Sequence, residues 1–404
     1  MFKHMFKIEN KCLKSRTAYN AVTEHPKKQQ LLQLIRANPF ISQQELAAEL
    51  GLSRSAVAGY IAGLIRERKL LGRAYVLPDK RPVVCMGAAN LDRKLRSLAP
   101  LALNTSNPAS QTESFGGVAR NIAENLARLG TPVALLTAVG SDSSGAALLA
   151  HAEAAGIDTH GALRLDDAAS GTYTVVLDAH GDMVVALADM ALYDRLTPSF
   201  VAAREAQLAT ATLVVADLNL SLDTVDALLG QARRSGVALV LVAVSEPKMA
   251  RLPRALAGVR LLIMNAGELA ARVGRPLVDE AALEAAMREV QAQGARDLVV
   301  TRGAAGVLLT QPDGAIARLQ APQAEVVDVT GAGDAFAAAV CWSLAQDGNE
   351  DLMLACRRGL HLSKLTVGTL DTVHPGLGPD SLAAVEEPGT DNNANNDATF
   401  LEQI

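Results

Sequence analysis

From Arg81 to about Leu382, short aliphatic and β-branched runs alternate with Ala- and Leu-rich stretches of helical period. The runs Val83–Ala88, Val133–Val139, Thr212–Ala216, Ala238–Val244, Leu261–Met264 and Leu298–Thr301 are continuously apolar rather than alternating. A strand reads that way when helices cover both faces of its sheet. Gly117–Leu129, Leu222–Ser235 and Ala281–Gln293 carry the helical spacing between them. The pattern predicts an α/β domain with an open, mostly parallel sheet flanked by helices. One pair differs. Thr172–Asp178 and Met183–Leu187, joined by Ala-His-Gly-Asp, alternate more clearly and predict an antiparallel hairpin standing off the sheet as a small β flap, or lid.

Around this region the chain changes character. Residues 1–25 read as a disordered leader, 26–80 as a compact helical headpiece, 81–385 as the α/β domain, and 386–404 as an acidic, largely disordered tail. Residues 1–80 hold 14 Lys or Arg against 6 Asp or Glu, although the whole chain has a formal net charge of −5. A basic headpiece on an acidic body points to nucleic acid or a membrane surface. The four cysteines show no paired spacing and no apolar run is long enough for a membrane span, so the chain reads as cytoplasmic, with no membrane partner.

In the headpiece, Ser42 can cap a helix Gln43–Leu50 that ends at Gly51, and Ser53 can cap a second, Arg54–Arg66, with Val57, Ile61, Leu64 and Ile65 inward. Two helices about a glycine turn, followed by Leu70–Leu77 as a wing hairpin, resemble the winged helix-turn-helix of bacterial regulators. That likeness implies promoter DNA as a partner. It puts Arg54, Ser55 and Tyr60 on or near the exposed side of the recognition helix and Arg73 on the wing.

Three elements of the large region carry chemistry. Residues 326–340, VVDVTGAGDAFAAAV, lead through Gly331, Ala332 and Gly333 into an Ala-rich helix. Small residues there let backbone N–H groups converge at a helix N-terminus, a cradle for an anion. Asp334 stands at its mouth, able to accept a proton from a hydroxyl. A tight turn with an Asp cap is the plainer alternative. Gly116 and Gly117 open a helix bearing Asn121 at the flank of its apolar stripe, where a buried amide needs partners. Gly87 to Asp92, with Asn90, follows the first strand at the edge where open α/β sheets bind ligands.

Together, in this order and spacing, GGxxxN and DxTGAGD resemble the ribokinase-like (PfkB) family of carbohydrate and nucleoside kinases, over residues 82 to about 382. The resemblance implies a magnesium- and ATP-dependent kinase, and also a monovalent cation such as K+. It makes Asp334 the catalytic base and Gly331, Ala332 and Gly333 the anion hole. Asn90, Asp92, Gly116, Gly117 and Asn121 would hold the sugar, Asn265 and Glu268 the metal and its waters, and Thr301, Gly303, Gly306 and Thr330 the ATP. Within the family, Ser106-Asn107-Pro108, GGVARNIAENLARLG (116–130), Ala216–Asn219 and TVHPGLGPDSL (372–382) are similar to bacterial pseudouridine kinases bearing a helix-turn-helix. This implies 5′-phosphorylation of a nucleoside, pseudouridine foremost. Met264, Ala243 and Ala188 depart from that pattern. A regulator using the kinase fold as a sensor, and a plain sugar kinase acting on ribose or a related sugar, stay open. Unpaired flap edges and a dimeric operator reader predict a homodimer.

Overall fold

A computed structural model describes residues 26–37, 41–67, 69–70, 81–346, 350–383 and 385. The leader, the tail and most of the wing, Arg73 included, lie outside the described residues. The chain divides into two units, Met1–Asp79 and Lys80–Ile404.

The headpiece has three helices, Pro26–Ala37, Gln43–Leu50 and Arg54–Arg66. Ser42 and Glu45 form a reciprocal capping box, so two backbone donors at that helix start are satisfied. Gly51 ends the helix at φ 62°, a left-handed conformation that glycine adopts without a Cβ penalty. Leu31, Ile35, Leu46, Val57, Ile61 and Leu64 close the core. Two placements differ from the sequence reading. Ile65 is 39% exposed, because Leu64 already fills the inward position of that turn. Tyr60 is half-buried against the core, lying one residue from Ile61 and three from Val57, whereas Arg54 and Ser55 are exposed.

In the second unit, the strands up to residue 140 are β1 (Val83–Met86), β2 (Asn90–Ser97), β3 (Ala109–Gly116), β4 (Val133–Leu136) and β5 (Ala138–Gly140). Next come β6 (Ile157–Asp158), β7 (Leu163–Leu165), β8 (Thr172–Leu177), β9 (Met183–Asp189) and β10 (Leu213–Asp217). The last are β11 (Ala238–Val242), β12 (Val259–Asn265), β13 (Asp297–Thr301), β14 (Val307–Thr310) and β15 (Ile316–Leu319). Nine of them form one sheet in the order β15-β14-β13-β12-β11-β10-β1-β4-β6, parallel except at β14 and β15. Both faces are covered. Val84 and Met86 of β1 enter one hydrophobic cluster while Val83 and Cys85 enter the other. Burial on two sides is why the strand shows no polar alternation.

The lid is larger than the predicted hairpin. β8 and β9 do pair antiparallel, but β2 and β3 complete a four-stranded sheet ordered β3-β2-β8-β9. Asp92 therefore sits inside a lid strand, not in the turn after β1. The run Val133–Val139 also divides, at Thr137, whose Oγ1 donates to the Gly87 carbonyl at 2.7 Å. No helix among the described residues is long and apolar enough to cross a membrane.

Candidate active site

β1, β10, β12 and β13 all end at the same edge of the large sheet, and their C-terminal ends carry Gly87, Asp217, Asn265 and Thr301. That edge is where α/β sheets of this kind hold ligands. The lid grows from it through β2.

Gly331 adopts φ 82° and starts the 13-residue helix Ala332–Leu344; a side chain there would strike the Thr372 carbonyl. Asp334, in the first turn of this helix, accepts a 2.6 Å bond from Asn121 Nδ2. Burial pushes the Asp334 carboxyl up to about 7, against the pull of the Asn121 amide and with a further push from Asp217; Arg120 lowers it and Asp92 raises it. A carboxylate near neutrality beside a helix N-terminus can take a proton at working pH.

Asn121 lies on the helix Val118–Arg128, which opens at Gly117, φ 97°. A Cβ at Gly117 would meet the Ala88 carbonyl at 2.5 Å, so the residue type fixes the close approach of helix and first strand. A Cβ at Gly116 would occupy the place of the Asp92 carboxyl. Asn90 Nδ2 donates to Asp92 Oδ1 at 2.5 Å, and burial raises the Asp92 pKa above its usual range. Thus Asn121 and Asp334 are in direct contact, and Asp92 lies near enough for its charge to act on Asp334.

Thr301, Gly303 and Gly306 line a cavity of about 660 Å³ with Ala332, Gly333 and Phe336. Gly306 takes φ 82°, where a side chain would strike the Leu319 carbonyl. Thr330 is placed differently: its hydroxyl and its amide both donate to Asp328 Oδ1, at 2.6 and 2.9 Å. Asn265 and Glu268 form a capping box on the helix Ala266–Val273. Burial raises the Glu268 pKa, and the charge of Glu246, which packs on Gly267, adds to this. Among the described residues no group of three or more His, Cys, Asp or Glu is placed to hold a metal.

Sequence reading assigned no role to Asp217, Arg120 or Lys94, although the first two lie in the quoted stretches Ala216–Asn219 and 116–130. Asp217 Oδ2 accepts the amides of Ala88 (2.9 Å) and Ala119 (3.0 Å), and Oδ1 that of Asn219 (2.8 Å). It ties the end of β1 to the start of the Asn121 helix. A carboxylate closing the apolar run Leu213–Asp217 was the available signal, since a buried charge must find donors.

The family model "pfkB family carbohydrate kinase" matches residues 80–376. The chain belongs to the PfkB family. Members are phosphotransferases with an alcohol group as acceptor, and this PfkB kinase carries a second match, "Winged helix-turn-helix DNA-binding", over residues 25–68. It is 31% identical to the uncharacterized sugar kinase YeiI of Escherichia coli (strain K12), over 79% of this chain and 88% of that one. It is 32% identical to the pseudouridine kinase of the same organism, over 65% of this chain and 84% of the relative. Among solved structures it is similar to a carbohydrate kinase from Agrobacterium tumefaciens, with TM-score 0.66, 32% identity, and coverage of 76% of this chain and 96% of the other. Arabidopsis thaliana ribokinase complexed with ribose and ATP, TM-score 0.66 at 20% identity, covers 76% and 98% and shares the fold.

Proposed function

We propose that this PfkB kinase transfers the γ-phosphoryl group of ATP to the 5′-hydroxyl of a nucleoside, pseudouridine foremost, and that its headpiece reads promoter DNA. The observation that carries the first part is the Asn121–Asp334 contact at the mouth of the glycine-opened helix, with the charge of Asp92 acting on Asp334. The choice of nucleoside over free sugar is supported by the pseudouridine kinase relative and by the stretch 116–130.

Asp92 and Asn90 bind the sugar hydroxyls, and Asn121 lines the same pocket. Asp334 takes the proton of the attacking hydroxyl as the bond to phosphorus forms. The N–H groups at Gly331 and Gly333 receive the negative charge that develops on the transferred group, while that of Ala332 donates to the Val329 carbonyl at 3.2 Å. Thr301, Gly303 and Gly306 wall the nucleotide cavity. The acidic pair Glu268 and Glu246, with the Asn265 amide beside it, suits Mg2+. This ion takes oxygen donors, keeps several waters and needs only one or two carboxylates besides the phosphates. When bound it supplies charge neutralisation at the phosphates. A K+ requirement, a homodimer and a cytoplasmic location belong to the same reading.

An ADP-release assay over a panel of nucleosides and sugars tests it. Pseudouridine should give the highest kcat/KM, and Asp334→Asn should abolish turnover while nucleoside binding persists. Turnover of ribose alone replaces the reading with a plain sugar kinase. Turnover of nothing, with a ligand-dependent change in DNA affinity, makes the chain a sensor. Exposed Arg54 and Ser55 support the second part. Deleting residues 1–80 should remove affinity for promoter DNA at moderate salt; unchanged affinity refutes it.

A further inference from the structure

Arg120 is 1% exposed and among the largest fully buried side chains of the described residues. Its donors are all directed. Nε donates to the Gly116 carbonyl (2.9 Å) and Nη2 to the Phe115 carbonyl (2.6 Å), with Thr372 Oγ1 at 3.5 Å. Nη1 meets Glu124 at 2.5 Å, and Nη2 also donates to Asn121 Oδ1. Glu124 in turn is held by Arg128 at 2.7 Å and faces His151 Nδ1 at 3.8 Å.

The bond to Asn121 is the informative one. A side-chain amide has an acceptor on one side and donors on the other. A guanidinium only donates, so it takes Oδ1 and leaves Nδ2 toward Asp334. Turned over, the amide would set its oxygen against the carboxylate. We infer that Arg120 is a positioning residue for phosphoryl transfer: it locks the Asn121 amide in the one orientation that supports an ionised Asp334. The inference rests on the kinase reading and adds a residue to its machinery.

The groups that face Asp334 are Asn121 and Arg120 on their helix, Asp217 at the end of β10 and Asp92 on β2. Arg120 is the cation among them. Buried charges of this kind act strongly because little water screens them. Removing it should therefore disfavour the ionised base, while removing its partner Glu124 should leave its charge less compensated and favour that base.

The test is the pH dependence of kcat/KM in the full-length protein. In Arg120→Met the acid limb should move up by about one pH unit, and in Glu124→Gln it should move down. A residue that only braces the Gly116 loop would lower activity without moving the two limbs apart. Limbs that stay in place, or move in the same direction, overturn the inference. Should Arg120→Met not fold, Glu124→Gln decides alone: a limb that does not move down overturns it. Arg120→Lys, which keeps the charge and a donor for Asn121 Oδ1 but not the bonds to the Phe115 and Gly116 carbonyls, should hold its limb near the wild-type position with a lowered plateau; a limb displaced as in Arg120→Met counts against the inference. Wild-type protein that turns over no member of the panel would remove the kinase reading itself, before any substitution is made.

Discussion

Lys94 Nζ lies 2.6 Å from Asp328 Oδ2, joining a strand of the lid to the loop that leads into the Asp334 helix. Lys94 stands two residues beyond Asp92 in β2 and so shares its face of the lid. Asp328 also receives the amide and hydroxyl of Thr330, and these contacts hold its carboxyl below the usual range although burial opposes them. One carboxylate thus shapes the loop that leads into the Asp334 helix and anchors the four-stranded lid to it.

Lys94→Met should leave stability nearly unchanged, since a partly exposed ion pair contributes about 0–1 kcal/mol. It should nevertheless raise the KM for the acceptor about tenfold or more, because each tenfold step needs only ~1.4 kcal/mol of lost lid positioning. Thermal denaturation beside steady-state kinetics checks both halves. A fall in Tm of many degrees with intact kinetics would reverse the assignment.

The acid limb of kcat/KM should centre near pH 7, the value to which burial brings Asp334. The sign follows from the raised value. Relative to the unfolded chain, the native state holds this proton more tightly, so its contribution to stability is complete below the ordinary value of 3.8 and is lost progressively as pH rises from there through about 7. Asp334→Asn should accordingly melt higher than wild type at pH 8 and gain little at pH 4. Differential scanning calorimetry at the two pH values reads this directly.

Asp217→Ala should destabilise the protein by about 2–4 kcal/mol, because it strands three buried amides that now share one carboxylate. Asn should recover only part, since its NH2 would face an N–H donor. Urea midpoints of the three proteins give the order.

Gly116→Ala places a methyl group where the Asp92 carboxyl sits. Acceptor affinity should fall about tenfold or more, as a misplaced sugar ligand commonly costs, while ATP affinity stays within about twofold. Isothermal titration with nucleoside and with a non-hydrolysable ATP analogue separates the two.

The large sheet was legible in the sequence because burial on both faces writes itself as continuous apolar runs such as Leu213–Ala216. The two glycine motifs were legible for a different reason: Gly117 and Gly331 occupy backbone conformations that other residues strain to adopt. Half of the lid was not legible. β2 reads NLDRKLRS and β3 reads ASQTESFG, polar strands whose partners are set by pairing rather than by pattern; β2 lies beside β8, some 80 residues away in the chain. Arg120 and Lys94 escaped for the same reason. Their meaning depends on Asn121's orientation and on Asp328, neither of which a local window can supply.

Asp92, Tyr173 and Ala188 stand side by side across β2, β8 and β9, on the sheet separate from the one whose edge bears Asp217 and Asn265. On the proposed kinase reading, choosing an acceptor and activating its hydroxyl are therefore tasks assigned to different layers of the molecule. On that reading, drift at 173 or 188 would change the clientele of such an enzyme without disturbing its reaction, which gives one scaffold room to serve many sugars.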